Sequence, residues 1–331
     1  MSRDLSRMRV LVSGRVPESV LEELEKTGLQ LVTWSGRKPA PREFLEANIA
    51  DAQGLLCLLT DQIGADLLAR APGLRVVSNY AVGYDNIDVG ACTEAGVVVT
   101  NTPGVLTEAT ADLAFALLLA SARRVVEADR LVRDGGWETW EVDFMVGRGV
   151  HGKTLGILGF GAIGQAVARR ARGFDMEILF FDPGDRSREA GDLRAEPVSM
   201  EELLGRSDYI SVHVPLTERT RGLLAAQELA GAKEGSILIN PSRGEVVDEA
   251  ALQDALAEGP LAAAGLDVFA TEPLPPDHPL TSLDNVVLAP HIGSATRQAR
   301  LDMGMLAVEN LVRVLSGQRP PHPVNPEVLE R

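Results

Sequence analysis

Cysteine is nearly absent. Cys57 and Cys92 are the only two in 331 residues, and neither has a Cys-x-x-Cys partner or a Cys/His cluster with metal-ligand spacing. That rules out a disulfide framework and gives no reason to expect a metal, so both thiols are expected reduced and packed, as in a cytoplasmic protein. Basic residues are outnumbered, 32 against 47 acidic, for a net charge of −15. With no basic run to offset it, that balance disfavours nucleic acid or an anionic membrane surface as a partner. Long apolar runs are missing too. The longest, Leu113–Ala122, is about half what a membrane span needs and reads as a buried core helix. The opening MSRDLSRMRVLVSGRV lacks the apolar stretch and small-residue cleavage site of a secretion signal, so a cytoplasmic location is expected. Aromatics are few, yet two of the three tryptophans, Trp137 and Trp140, share one irregular loop near 135–147. They are either anchors of an intersubunit contact or a satellite core cluster, and the contact is the preferred reading.

What is present is a recurring alternation of strand and helix. Its most informative unit is Lys153–Asp182: a strand over Leu155–Leu158, a glycine turn, a helix over Ile163–Arg172 and a second strand, Ile178–Phe181, ending on an acid. In this βαβ unit Gly159 makes the tight turn, Gly161 lets backbone approach a pyrophosphate, and Gly164 lets helix and strand pack closely. A diphosphate would sit on the free N–H groups at the helix N-terminus, where the helix dipole favours anions. Asp182 lies where a carboxylate accepts hydrogen bonds from the adenosine ribose and repels a 2′-phosphate, so NAD is expected over NADP. Arg186 is close enough to lend some tolerance of NADP(H). A glycine-rich helix entry without a ligand is the competing reading, weakened by the complete strand, helix, strand and acid.

The same alternation fills the first hundred residues, from a strand at Val10–Val12 to one at Val97–Thr100, with no second phosphate loop. This predicts an α/β protein of two Rossmann-like parallel-sheet domains with an active-site cleft between them. Asn101-Thr-Pro103-Gly104 marks the first boundary. A helix over Glu108–Arg124, apolar nearly all round, should be covered on both faces. About six or seven strands follow in the middle of the chain. A long helix, Ala295–Leu315, leaves them, and the proline-rich tail should return to the first domain. The expected division is a discontinuous substrate domain, 1–102 with 295–331, and a nucleotide domain, 103–294.

Three strand ends carry unusual groups: Arg243 in Asn240-Pro-Ser-Arg-Gly244, Asp267 after Ala263–Leu266, and His291 after Val286–Leu288. In open α/β sheets ligands bind outside the carboxyl ends of the strands, where Gly159 also lies. Hydride delivery to a ketone needs an acid for the oxygen, a cation for the substrate's anionic oxygens and a group that holds the acid's proton. Imidazole suits the first task (His291), a guanidinium fork the second (Arg243), and a nearby carboxylate the third (Glu272). Taken singly, each is as easily a solvated surface charge. His213, at a strand end, either touches cofactor or serves the core; His151, His278 and His322 read as loop or surface residues.

The segments Asn79-Tyr-Ala-Val-Gly-Tyr-Asp-Asn86, Gly159–Gly164, His213-Val-Pro-Leu-Thr217, Asn240–Gly244, Gly265-Leu-Asp-Val-Phe269, Glu272-Pro273 and Pro290-His-Ile-Gly-Ser294 resemble those of the D-isomer-specific 2-hydroxyacid dehydrogenases across essentially the whole chain. Within that family the chain is most similar to glyoxylate and hydroxypyruvate reductases. The resemblance implies Arg243, Glu272 and His291 as the catalytic set. It implies substrate carboxylate on the N–H groups of Val82 and Gly83, with Arg300 adding charge nearby. It also implies NAD(H) along Thr107, Ala162, Ile163, Val214, Pro215, Thr220, Pro241 and Ser242 as well as the glycine loop, with Asp267 facing the nicotinamide amide. A homodimer is implied, whose arm carries a tryptophan, Trp140, toward the partner's site. Phosphite-oxidising members carry a lysine where this chain has Val82, which counts against phosphite. A phosphoglycerate- or D-lactate-type dehydrogenase and a non-enzymatic NAD-sensing corepressor-like scaffold are the alternatives; the sequence, ending at Arg331, is not expected to carry the regulatory module of many phosphoglycerate dehydrogenases.

Overall fold

The structure is a computed structural model that describes residues 4–330. The chain partitions into two compact units: one runs to Leu106 and resumes at Ala295, the other spans Thr107–Ser294.

The first unit alternates β1 (Arg9–Val12), α1 (Glu18–Lys26), β2 (Gln30–Thr33), α2 (Arg42–Asn48), β3 (Gly54–Cys57), α3 (Ala65–Leu68), β4 (Val76–Asn79), α4 (Val89–Glu94) and β5 (Val98–Thr100). All five strands pair in parallel in the order β2-β1-β3-β4-β5, a doubly wound sheet. Because such a sheet is covered on both faces, β3 and β4 are buried at every position, and β-branched and leucine side chains supply the core there. Cys57 and Cys92 are both free and buried in this core.

The second unit holds α5 (Thr107–Ala122), α6 (Val125–Arg133), β6 (Thr154–Leu158), α7 (Ala162–Ala171), β7 (Glu177–Phe181), α8 (Ser187–Leu193), β8 (Ala195–Pro197), α9 (Met200–Arg206), β9 (Tyr209–Val212), α10 (Ala226–Ala230), β10 (Ser236–Asn240), α11 (Glu249–Ala257), β11 (Leu261–Leu266) and β12 (Val286–Leu288). Its seven parallel strands run β12-β11-β10-β9-β6-β7-β8. The order reverses between β6 and β9, the position where doubly wound sheets open a ligand crevice. The last helix, α12 (Arg297–Leu315), belongs to the first unit and packs on β3, β4, β5 and α1. The tail beyond it pairs back along β5, with Val324 N–H donating to the Val99 carbonyl at 2.8 Å.

Three expectations need correction. First, α5 is not covered all round: Glu108, Asp112 and Ala116 form an exposed stripe at four-residue spacing, and the two acids pair with Arg169 and Arg170 of α7. Second, α6, α8 and β8 have no counterpart in the sequence reading. Of these, α6 buries no residue at all, and β8 is a short edge strand ending on Pro197. Third, the helix expected over Glu108–Arg124 spans Thr107–Ala122 instead, and Arg124 lies outside it in a left-handed conformation, φ 54°.

Candidate active site

The glycine loop performs its steric tasks. Gly159 has φ +92°, and a Cβ there would stand 2.7 Å from the His213 carbonyl carbon; one on Gly164 would stand 2.2 Å from the Gly159 oxygen. Over Gly161, by contrast, nothing lies within 4 Å of where a Cβ would point. That open approach leads to the first turn of α7, which carries no acidic residue. Asp182, at the end of β7, accepts Phe160 N–H at 2.8 Å on one oxygen and Gly184 N–H at 2.8 Å on the other, with Arg186 Nε 3.3 Å away. A sterically open glycine cradle, a helix N-terminus and a carboxylate at the end of the next strand fit a dinucleotide.

The other strand ends are built as interlocking turns. After β10, the Asn240 amide donates to the Arg243 carbonyl at 2.9 Å, while its oxygen accepts Ser242 N–H and Oγ at 3.0 and 2.8 Å. This closed turn fixes the backbone beneath Arg243. Gly244 follows because a Cβ there would lie 1.9 Å from the Phe269 carbonyl carbon. After β11, Asp267 is fully buried and accepts Ile292 N–H and Gly293 N–H at 2.7 Å each, one per oxygen; its carbonyl accepts His291 N–H at 2.8 Å. His291 itself sits in the left-handed region at φ 53°. A non-glycine residue held there carries strain that its neighbours must over-determine, and the three bonds from Asp267 do so.

His291 Nδ1 meets Glu272 Oε2 at 2.7 Å, and Glu272 Oε1 accepts Phe269 N–H at 3.0 Å. Burial pushes the Glu272 carboxyl up, but the hydrogen bond and charge of His291, the Phe269 N–H and the charge of Arg243 together hold it below the ordinary carboxylate range. Asp267 is pushed the other way, by burial against its two N–H donors. The structure thus brings His291, Glu272 and Asp267 together, with Pro241 and Ser242 at the turn that carries Arg243. Thr107 and Val214 are buried, Thr220 donates to the Pro215 carbonyl at 2.6 Å, and Ala162 and Ile163 open α7. His213 Nε2 lies 2.7 Å from Ser211 Oγ, and burial pushes its pKa down to about 3.

Val82, Gly83 and Arg300 belong to the first unit. There Val82 and Gly83 form a half-buried loop after β4, and the Arg300 carbonyl accepts the Tyr80 hydroxyl. His278, expected on the surface, is instead largely enclosed, with Nε2 3.5 Å from Glu249. Among the described residues no three His, Cys, Asp or Glu side chains cluster as a metal site. Sequence reading passed over Asn240 as a structural residue; an asparagine two positions before a turn serine was the available signal.

The sequence profile of the D-isomer specific 2-hydroxyacid dehydrogenase NAD-binding domain matches residues 115–293. The chain belongs to this family. A glyoxylate reductase from Korarchaeum cryptofilum is 50% identical over 323 residues, covering 97% of each chain. A solved protein from Thermus thermophilus superposes with a TM-score of 0.90 at 46% identity, covering 96% of this dehydrogenase and all (100%) of the other chain. An NADPH-dependent glyoxylate/hydroxypyruvate reductase from Sinorhizobium meliloti, solved with NADP and malonate, reaches a TM-score of 0.85 at 34% identity, covering 96% and 97%. This chain is therefore an NAD(P)-dependent oxidoreductase of that family, and the glycine loop lies inside the matched region.

Proposed function

We propose that this dehydrogenase reduces glyoxylate and hydroxypyruvate to the corresponding 2-hydroxy acids, of D configuration where the product is chiral. The observation that carries the reading is the His291–Glu272 pair at 2.7 Å, held on a strained turn by a buried aspartate in a chain whose relatives include glyoxylate reductases. The cofactor held on Gly159, Gly161 and Gly164 supplies the hydride. His291 delivers the proton to the carbonyl oxygen: with Nδ1 committed to Glu272, Nε2 is the nitrogen left for substrate. Glu272 engages Nδ1 at 2.7 Å and so sets the ring's orientation. Arg243 holds the substrate's carboxylate and carbonyl oxygens, the N–H groups of Val82 and Gly83 take the carboxylate, and Arg300 adds positive charge. Asp267 keeps the His291 turn in place and faces the nicotinamide amide. Thr107, Val214, Pro215, Thr220, Pro241 and Ser242 line the cofactor. NADH is preferred, because the Asp182 carboxylate repels a 2′-phosphate, while the neighbouring Arg186 permits some use of NADPH. The assignment extends to a cytoplasmic homodimer joined through the 135–147 arm, with Trp140 reaching toward the partner's site.

The test is reduced-cofactor oxidation by the purified protein with glyoxylate, hydroxypyruvate, pyruvate and phosphohydroxypyruvate, for wild type and His291→Gln. Fast wild-type turnover of the first two is expected, with at least a roughly hundredfold loss in the variant while NADH binding is kept. Unchanged turnover in the variant would remove His291 from the mechanism, and idle wild-type protein would remove the substrate assignment.

A further inference from the structure

The loop Ala81-Val82-Gly83 has three consecutive carbonyls, and each is held from behind by a donor at a strand end. The Ala81 oxygen accepts Thr102 N–H at 2.9 Å, just past β5. Val82's accepts the Asn101 side-chain amide at 2.8 Å, and Gly83's accepts the Asn79 amide at 2.7 Å. Asn79 closes β4 and is fully buried; its amide also lies 3.4 Å from Asn86 Oδ1, whose own amide donates to the Asp61 carbonyl at 2.9 Å. Asn101 is braced in turn. Fully buried Asn310 of α12 donates to its carbonyl at 3.0 Å and accepts His322 N–H at 3.1 Å, tying helix, tail and loop together.

In a trans peptide the N–H lies opposite the C=O of the same plane. Anchoring the carbonyls of residues 81, 82 and 83 therefore turns the N–H groups of Val82, Gly83 and Tyr84 away from the strand ends, and no hydrogen bond from these three to another described residue exists. Successive outward N–H groups form an anion-binding concavity only while their peptide planes are held. The asparagine amide acts as a donor at both anchors, since each faces a carbonyl.

We infer that Asn79 and Asn101 are positioning residues for the substrate carboxylate, presetting the loop so that its amide donors need no reorganisation on binding. This rests on the reading that the Val82–Gly83 loop takes the carboxylate. The consequence is a specific kinetic signature, since loop order serves binding of the acid group and not the proton transfer at His291.

The test is Asn101→Asp, which keeps shape and replaces the donor by an acceptor facing the Val82 carbonyl. The expected result is a KM for glyoxylate raised about tenfold or more, the equivalent of one lost oriented contact, with kcat within about threefold and NADH affinity unchanged. Relative to wild type at each pH, the KM penalty should shrink on acidification, when a protonated carboxyl can donate to the carbonyl again. Asn79→Asp should follow the same pattern. A KM within about twofold of wild type at every pH, or a parallel fall of kcat, affinity and melting temperature with no pH rescue, would overturn the inference. The underlying reading is tested separately on the wild-type protein with NADH bound, by amide hydrogen exchange across residues 81–86 with and without oxalate. Slowed exchange supports carboxylate binding there. No slowing removes that reading and the inference with it; slowing together with an unaffected Asn101→Asp leaves the reading and removes only the inference.

Discussion

Asp182 shows how much one side chain can decide. Its two oxygens are held by Phe160 and Gly184 N–H groups, so the carboxylate is aimed as well as charged, and Arg186 stands 3.3 Å off as its ion-pair partner. Replacing the acid by serine removes the repulsion toward a 2′-phosphate and frees that guanidinium to meet it. Asp182→Ser should therefore raise the ratio of kcat/KM for NADPH to that for NADH by about tenfold or more, read by parallel assays with the two cofactors. An unchanged ratio would mean that Asp182 does not face the ribose. The glycines stood out in the sequence by their spacing at the end of a strand, and His291 because histidine is scarce, five in 331 residues, and this one follows a strand. Asn79, Asn101 and Asn310 did not, because an asparagine's role depends on which carbonyl the fold sets against its amide, here 4, 19 and 209 positions away, and residue type alone carries no trace of that.

The strands were the most readable elements, being short β-branched and leucine runs between glycines and prolines. What escaped were α8, which buries only two residues, β8, a three-residue edge strand, and α6, whose apolar residues stay exposed and meet no core. The end of β9 has a testable property of its own. His213 is held neutral by burial, with a pKa of about 3 against 6.5 for an ordinary imidazole, so the unfolded chain binds a proton there that the folded one does not. The contribution is then full above the ordinary imidazole range and is lost as pH falls from about 6.5 toward 3. Melting curves across this range should show a shallower acid loss in His213→Asn than in wild type; parallel slopes would place the proton uptake elsewhere.

At the scale of the molecule, the arm after α6 leaves Trp137, Trp140, Val142 and Val146 at 58%, 77%, 83% and 63% exposure, so the tryptophans form no satellite core. With Val125, Val126 and Val132 of α6 also exposed, this is an apolar surface of the kind that a second copy covers. Val142→Asp combined with Val146→Asp should halve the mass measured by light scattering if the wild type is a homodimer; a wild type already monomeric would remove the arm's assignment. No helix among the described residues is long and apolar enough to cross a membrane.

The discontinuity of the first unit also has a bearing on biosynthesis. Its sheet is made in the first hundred residues, but one face waits for α12, and β5 waits for Val324 and for Asn325, whose side chain accepts Val99 N–H at 2.7 Å. The contiguous unit, Thr107–Ser294, emerges from the ribosome complete. The nascent protein therefore finishes its nucleotide-binding half first and carries β3 and β4 without their α12 cover until α12 and the tail have emerged, the interval in which it is most exposed to chaperones and to aggregation.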